Sequence, residues 1–468
     1  MQKYAEQIFD EVAAPSIIPP VLKESKVIGY RVNGFFREYV MSRPAEETIF
    51  LPVEVSVLEK QRHDRLTTQG IGQHLAIGST WHDEDEDQIV FDSLDFSRLR
   101  SLTVFQKFRS FYVLDTMRVL RVLDLENALG VDDDNMEKIG KLSSRLKFLS
   151  LRGQRRISKL PESVGDLLQL QTLDIRGTSI LTLPPFITRL RKLQYIRADT
   201  AFTSLENFIS YPTGGFKVPS GIGRLEALRT LVGVRVNTAG GGRILDEIVS
   251  LPQLKKLRVS GIIRKTRRRS LFFWFNHLES LSLEFEENNP FVHWEHIGIP
   301  KCLRSLKMYG PVEKLPPRIK DCVDLRKLTL EMATLFTPNV IEVHRLLPSL
   351  RTLRLRVNKD QDGELQFLNK NLFEKLEVLE IVSKSKLHVR FGDGAMKKLE
   401  QLNYLHNGFQ SEIQFSGLEH PVSLKQVWLL HDFPDALKES VQQQLAKHPS
   451  KPALMELRPP ALIQLRFL

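Results

Sequence analysis

The residues best suited to metal chemistry are His293 and His296, which lie three apart in "FVHWEHIGIP" with Glu295 between them. A zinc site needs three or four protein ligands, and the surrounding sequence offers no evident third ligand. Histidines flanked by Phe291 and Trp294 are more typical of a packed loop than of a metal centre. The sequence therefore predicts no metal site at this pair.

Cysteine chemistry is equally sparse, because the chain has only Cys302 and Cys322. Two cysteines are too few for a disulfide framework or a four-cysteine zinc site, and they indicate free, buried thiols in a reducing compartment. The sequence also lacks the G-x-S-x-G, H-E-x-x-H and Cys-x-x-Cys motifs. We therefore expect a protein that is not an enzyme.

The formal net charge is +11, yet basic and acidic residues are interleaved along most of the chain. This mixture does not favour a nucleic-acid partner. Two runs of charged residues interrupt this interleaving, the acidic His82–Asp87 and the basic Arg264–Arg269. Solvated loops are the simplest interpretation of both. Nuclear import and phosphate contact are the alternatives for the basic run, whereas Phe272, Phe273 and Phe275 behind it suit a core.

Any functional residue must be positioned by a repeated frame, L-x-x-L-x-L, in which other apolar residues replace some leucines. Most successive copies begin about 21 to 26 residues apart, which is typical of leucine-rich repeats. The copies begin at Leu99, Leu120, Leu146, Leu170, Leu193, Leu228, Leu254, Leu278, Leu303, Leu325, Leu350, Leu376, Leu399 and Leu424. A weaker copy at Gly72 opens the array, so the sequence predicts about 14 to 15 repeats.

Each copy centres on x-L-x-L-x, which places the apolar residues on one side of a short strand and the x residues on the other. One strand cannot bury its apolar side alone, so the copies must stack into a parallel sheet. Leu173 and Ile175 are accordingly expected in the core. The predicted fold class is α/β, a leucine-rich-repeat solenoid shaped as a curved horseshoe with the parallel sheet on its concave face.

The remainder of each repeat returns outside the sheet, as "SILTLPPFITRL" illustrates. Pro184 and Pro185 cannot continue a strand, because proline lacks a backbone N–H and has a fixed φ. We expect Leu181 and Leu183 to enter the core and Ile187 to seal the next turn.

The x positions of the concave face are free of packing requirements, so any partner should bind there. Basic residues with one tyrosine occupy the middle repeats, and apolar residues occupy the last ones. The predicted partner-binding residues are Arg258, Lys307, Tyr309, Arg354, Arg356, Leu405, Trp428 and Leu430. Exposed apolar patches of this kind bind proteins. The alternative is that the C-terminal segment 432–449 covers the apolar patch.

The first residues, "MQKYAEQIFDEV", are too acidic for a secretory signal, and no window approaches 18 uninterrupted apolar residues. We therefore expect an intracellular protein without a membrane span. The predicted compartment is the cytoplasm, with the nucleus as the alternative.

The "LPxxIGxLxxLxxLxL"-type returns and the irregular C-terminal repeats resemble those of plant intracellular nucleotide-binding leucine-rich-repeat immune receptors (NLR proteins), in particular the coiled-coil class of grasses. "AEQIFDEVAAPSIIPPV" from Ala5 and "VIGYRVNGFFREYVMSRPAEETIF" to Phe50 resemble the end of that family's winged-helix module. The resemblance implies a winged-helix remnant and linker over residues 1–50. The repeats would then occupy residues 51–432, and a cap or tail residues 433–468.

The sequence departs from this family at its nucleotide-binding features. Where the family carries a Met/Val-His-Asp motif, this chain has Val32, Asn33 and Gly34. The phosphate-binding G-x-x-x-x-G-K-[ST] loop does not occur either. We therefore expect no cofactor in this chain, whereas an intact relative would bind ADP or ATP in a domain that these residues do not contain.

The resemblance implies the recognition and regulatory module of a plant disease-resistance protein, with a pathogen effector or a guarded host protein as its partner. The alternative is a general intracellular leucine-rich-repeat scaffold or adaptor. Since repeats bury their apolar sides within the array, we expect a monomer.

Overall fold

The computed structural model describes residues 20–23, 26–30, 50–53, 73–77, 88, 91, 96–142, 144–198, 215–237, 241–262, 272, 275–285, 297–310, 315–332, 337–357, 363–383, 386–406, 413–430 and 433–457. Two compact units contain them. Unit 1 consists of residues 1–131 and 141–149, and unit 2 consists of residues 132–140 and 150–468.

Two short antiparallel strands, β1 (Pro20–Lys23) and β2 (Lys26–Tyr30), lie within the predicted winged-helix remnant. Most of the other residues of that segment, including Asn33 and Gly34, lie outside the described residues. The same is true of the predicted histidine pair and of the acidic and basic runs, at 293 and 296, 82–87 and 264–269. The winged-helix remnant therefore stays a prediction.

Unit 1 is built on parallel strands. They are β3 (Phe50–Val53), β4 (His74–Ile77), β5 (Ser101–Lys107), β6 (Val122–Leu129) and β7 (Phe148–Ser150), the last residue of which belongs to unit 2. Strands β3 to β6 pair in chain order. Strand β4 confirms the weaker copy at Gly72. Strand β3 precedes it, where Thr48 replaces the leading leucine of the frame and Pro52 occupies an x position.

Unit 2 contains a main sheet in which every strand is parallel to its neighbours. Its strands, in order, are β8 (Thr172–Asp174), β9 (Tyr195–Arg197), β10 (Thr230–Arg235), β11 (Lys256–Ile262), β12 (Ser280–Phe285), β13 (Ser305–Tyr309), β14 (Lys327–Met332), β15 (Thr352–Val357), β17 (Val378–Ser383), β19 (Gln401–His406), β21 (Gln426–Leu430) and β22 (Ala453–Leu457). Alternation along the strands from β8 to β21 buries the frame leucines, and Leu173 and Ile175 are in the core as expected. The chain folds as the predicted leucine-rich-repeat solenoid.

Short helices return the chain between strands. The α-helices are α1 (Asp133–Gly140), α2 (Gly241–Val249), α3 (Thr337–Leu346) and α4 (Asp435–Ala446), and the 3-10 helices are Ser110–Tyr112, Glu162–Asp166, Pro185–Arg189, Ile222–Arg224 and Pro317–Asp321. Ile187 is buried on such a return, as predicted, and so is Leu183. The prediction for Leu181 is wrong, because its side chain is 64% exposed and the preceding Ile180 enters the core instead. The described helices include none that is both long and apolar enough to cross a bilayer.

A second, smaller sheet was not evident from the frame. Its parallel strands are β16 (Gly363–Phe367), β18 (Leu387–Phe391) and β20 (Ile413–Ser416). We call it the side sheet. It lies in the returns of the last repeats, and Phe367 stacks on Phe391 with ring centroids 5.6 Å apart. Extra apolar residues in these returns therefore pack as a second layer.

Strand β22 continues the main sheet beyond residue 432, where the recognisable frame ends. Its register pairs Leu429 of β21 with Glu456, so a carboxylate stands where a core leucine is expected. Glu456 forms an ion pair of 2.8 Å with Lys438 of α4. This carboxylate at a core position hides the frame in the sequence of β22.

Candidate partner-binding face

The face of the main sheet opposite the leucine core carries the x residues, and we call it the x-position face. Parallel pairing keeps equivalent residues in register, so Lys307, Thr329 and Arg354 line up and Glu331 lies beside Arg356. The charged segment of this face consists of Arg258, Glu284, Lys307, Tyr309, Glu331, Arg354 and Arg356. It includes all five basic and tyrosine positions that the sequence predicted.

Tyr309 lies between two guanidinium groups of the charged segment. The Cζ atom of Arg258 is 5.9 Å from the centroid of the tyrosine ring, and that of Arg356 is 5.5 Å from it. A cation within about 6 Å of an aromatic centroid is attracted by the ring's electrons. Because these residues come from β11, β13 and β15, only the sheet register brings them together.

Carboxylates accompany two of the arginines. Arg258 contacts Glu284 at 3.4 Å, and Arg354 lies 3.0 Å from Glu380 of β17. The Arg354 side chain is 15% exposed and that of Glu380 is 6% exposed. Their Nε and Oε2 atoms are close but do not meet hydrogen-bond geometry, so we treat the contact as an ion pair only.

Arg356 differs from these two arginines in degree. The buried Nε atoms of Arg258 and Arg354 make no hydrogen bond either, but each of those residues faces a carboxylate. In Arg356 both Nε and Nη1 are buried, and no described residue accepts a hydrogen bond from either. A buried donor without an acceptor costs about 1 to 3 kcal/mol. The stacking on Tyr309 is therefore the main contact that holds this guanidinium.

The apolar segment of the x-position face consists of Val382, Leu405, Trp428, Leu430 and the partly buried Met455. The sequence treats these positions as exposed, but Trp428 is only 9% exposed, and Leu405 and Leu430 are buried. Neighbouring strands are about 4.8 Å apart, so large side chains in register cover one another. The indole Nε1 donates to Gln426 Oε1 at 3.0 Å. This burial favours a stabilising role, and the role of Trp428 as a partner anchor stays a prediction.

The segment proposed to cover the apolar patch forms helix α4. This helix is the return between β21 and β22, and it contacts β20 of the side sheet. Gln444 Nε2 donates to the Phe415 carbonyl at 2.7 Å and thereby occupies a backbone acceptor of β20. These contacts place α4 with the side sheet, and the members of the apolar segment pack against one another.

Sequence reasoning did not single out two buried polar residues on this face. Glu331 in the charged segment and Asn403 of β19 are both buried. Asn403 Oδ1 accepts a hydrogen bond of 3.0 Å from Gln401 Nε2. Both occupy x positions, so the frame could have identified their face but not their burial.

A row of ion pairs follows the edge of the main sheet, one residue before the first x position. Lys255 contacts Glu279, Arg351 contacts Glu377 and Lys425 contacts Glu400, each at 2.9 Å. The hydrogen bond from Lys255 lowers the pKa of Glu279. Since these side chains are well exposed, each pair contributes about 1 kcal/mol or less.

The two cysteines are free thiols. Cys322 is buried as predicted, and burial raises its pKa to about 12. Cys302 is less buried than predicted, and its Sγ donates to the Leu278 carbonyl at 3.1 Å.

Phe272 and Phe275 are buried as expected, whereas Phe273 lies outside the described residues. Within the described part of the chain, no group of three or more His, Cys, Asp or Glu side chains is arranged to hold a metal ion.

The amino-acid sequence is similar to those of plant resistance proteins. It is 26% identical to rice (Oryza sativa subsp. japonica) "Disease resistance protein Pik-2" over 96% of this chain and 48% of that protein. Identity to rice "Disease resistance protein RGA4" is 27%, over 79% of this chain and 36% of the relative. Identity to the Arabidopsis thaliana "Putative disease resistance RPP13-like protein 3" is 23%, over 86% of this chain and 43% of that protein. The chain thus spans about half or less of the length of these relatives.

Residues 98–454 match the family described as "Leucine-rich repeat region". This range includes both segments of the x-position face. The repeats, the buried leucines and the parallel sheet all agree with that match. The chain therefore belongs to the leucine-rich repeat region family and corresponds to the leucine-rich-repeat part of plant disease-resistance (NLR) proteins.

Proposed function

We propose that this chain is the recognition and regulatory module of a plant disease-resistance protein and binds a pathogen effector or a guarded host protein on its x-position face. The observation that carries the proposal is the charged segment, in which Arg258 and Arg356 flank Tyr309 on rigid parallel strands. Arginine and tyrosine are enriched among the residues that dominate protein interfaces. The similarity to rice resistance proteins over most of the chain supplies the biological context.

The proposal includes a monomeric module that acts in the cytoplasm, with the nucleus as the alternative. Stacking of repeats satisfies the apolar core within one chain, which supports the monomer. Light scattering on the purified chain measures this directly, and a stable dimer would contradict it.

A repeat exchange in living tissue tests the proposed function. Residues 98–454 replace the corresponding repeats of rice Pik-2, and leaf-cell death is scored against a library of secreted pathogen proteins. We expect the exchange to confer a response that Pik-2 with its own repeats does not give. The combined substitution Arg258→Ala, Tyr309→Ala and Arg356→Ala should abolish that response.

A matched control removes exposed cations from the edge of the same sheet. Arg229→Ala with Arg326→Ala should leave the response intact, because both residues lie outside the x-position face. A folded exchange protein that binds a host protein through the charged segment and never triggers cell death would instead support the scaffold or adaptor alternative.

A further inference from the structure

We infer that Arg356, stacked on Tyr309, is a carboxylate-binding site that receives an aspartate or glutamate side chain of the protein partner. The inference rests on the proposed function, because it names the partner's chemistry at the same face. It assigns one arginine to one acidic side chain.

The hydrogen-bonding state of Arg356 is the first argument. A guanidinium binds a carboxylate through two parallel N–H groups, along either its Nε edge or its terminal edge. Nε and Nη1 of Arg356 have no acceptor among the described residues, so each edge includes an unused nitrogen. The Nε atoms of Arg258 and Arg354 make no hydrogen bond either, but Glu284 and Glu380 already face these two residues.

Charge balance is the second argument, and it favours an anionic ligand. The charged segment together with Glu380 holds four cations and three carboxylates, namely Arg258, Lys307, Arg354 and Arg356 against Glu284, Glu331 and Glu380. Lys256 and Lys327 lie at the first x positions of β11 and β14 and add to the positive charge of this face. At Arg356, a doubly charged phosphate would be repelled more strongly than a carboxylate by the buried Glu331 beside it.

The aromatic ring is the third argument. Tyr309 holds the Arg356 guanidinium 5.5 Å from its centroid and is itself buried. A charge pair formed over a desolvating ring is stronger than one in open water. Arg356 remains partly exposed, so a small rotation of its long side chain turns an N–H edge toward a partner.

A peptide-binding experiment on the full chain tests the site without knowledge of the natural partner. The probe is a fluorescein-labelled, acetylated decaglutamate peptide, and its anisotropy is measured at low ionic strength. We expect Arg356→Gln to weaken binding at least about tenfold, as loss of a charge-assisted pair does. Arg356→Lys should weaken it by a similar factor, because lysine keeps the charge but not the planar fork.

The matched control is Arg351→Gln on the same strand. Arg351 lies at the sheet edge and pairs with Glu377 at 2.9 Å, so its loss should leave peptide affinity unchanged. Equal weakening by Arg351→Gln and Arg356→Gln would show a general charge effect and overturn the inference. So would release of the peptide by inorganic phosphate at concentrations where acetate has no effect. Circular dichroism melts verify that each variant is folded.

The exchange protein separates this inference from the proposed function. If Arg356→Gln preserves the cell-death response, the carboxylate site is wrong and the proposed function stands. If the unmodified exchange protein gives no response while Arg356-dependent peptide binding is intact, only the proposed function fails.

Discussion

The two segments of the x-position face share a scaffold and differ in chemistry. The charged segment arranges arginines and carboxylates around Tyr309, and the guanidinium of Arg356 retains unused donors. The apolar segment surrounds Trp428 with aliphatic side chains and leaves little of them in contact with water. Both are built from x positions of the same repeats. The comparison shows that one register can produce either a charged surface with unused hydrogen-bond donors or a second apolar cluster.

The largest expected effects come from the leucine core that both segments share. Leu355→Ala in β15 and Leu429→Ala in β21 should each lower the free energy of unfolding by about 2 to 5 kcal/mol, because each leaves a cavity among buried leucines. Urea denaturation with comparison of m values measures both. A much smaller loss for Leu429→Ala would mean that the apolar segment, rather than the leucine core, holds the last repeats together.

Trp428 tests whether the apolar segment is a second core. Trp428→Ala should lower the free energy of unfolding by about 3 kcal/mol, since it removes a buried aromatic side chain. Partner affinity should fall only in proportion to the loss of folded protein, and Trp428→Phe should recover most of the stability. An unchanged melting temperature combined with lost binding would instead identify Trp428 as an exposed partner anchor.

Glu380 of β17 and Glu377 just before it each form an ion pair with an arginine. The first pair is mostly buried and the second is exposed. Glu380→Gln should cost about 2 kcal/mol, because it leaves the mostly buried Arg354 without its charge partner. Glu377→Gln should cost less than about 1 kcal/mol, since the Arg351–Glu377 side chains are 52% and 41% exposed. Thermal melts at low and high salt compare the two. Equal costs would show that the charged segment is as solvated as the sheet edge.

His344 on α3, in the return that precedes β15, should make stability depend on pH. Burial lowers the pKa of His344, although Glu374 partly opposes the shift, and Nδ1 accepts a hydrogen bond of 3.0 Å from the Phe373 N–H. The unfolded chain therefore binds a proton at a higher pH than the folded chain. Stability should be complete above about pH 6.5 and should fall as the pH drops through the lowered folded value.

His344→Gln provides the control, because glutamine keeps an acceptor and does not titrate. This variant should show a flat unfolding free energy between about pH 5 and 7, measured by urea denaturation at each pH. The lowered pKa of Glu279 affects the free energy of unfolding in a separate pH range, below about pH 4.5, where its stabilising contribution is lost on acidification. A wild-type protein that gains stability on acidification from pH 7 would contradict a partly buried His344 that is neutral in the folded chain.

Some of the candidate site follows from local pattern. The frame places Arg258, Tyr309 and Arg356 on one face, because residues two apart in a strand point the same way. It does not reveal that Arg258 and Arg356 flank one ring, since that contact joins strands about 50 residues or more apart in the chain. It also mistakes Leu181 for a core residue, because a return has no fixed period and Ile180 competes for the same space.

The sequence by itself determined the repeat, the parallel sheet and the identity of the leucine core, because each depends on short-range alternation and on the spacing of copies. Tertiary structure alone decided the side sheet, the burial of Trp428 and the unused donors of Arg356. These features arise where side chains from successive repeats meet. Whether such side chains cover one another, form ion pairs or keep a free hydrogen-bond donor depends on distances across the sheet, which no local pattern encodes.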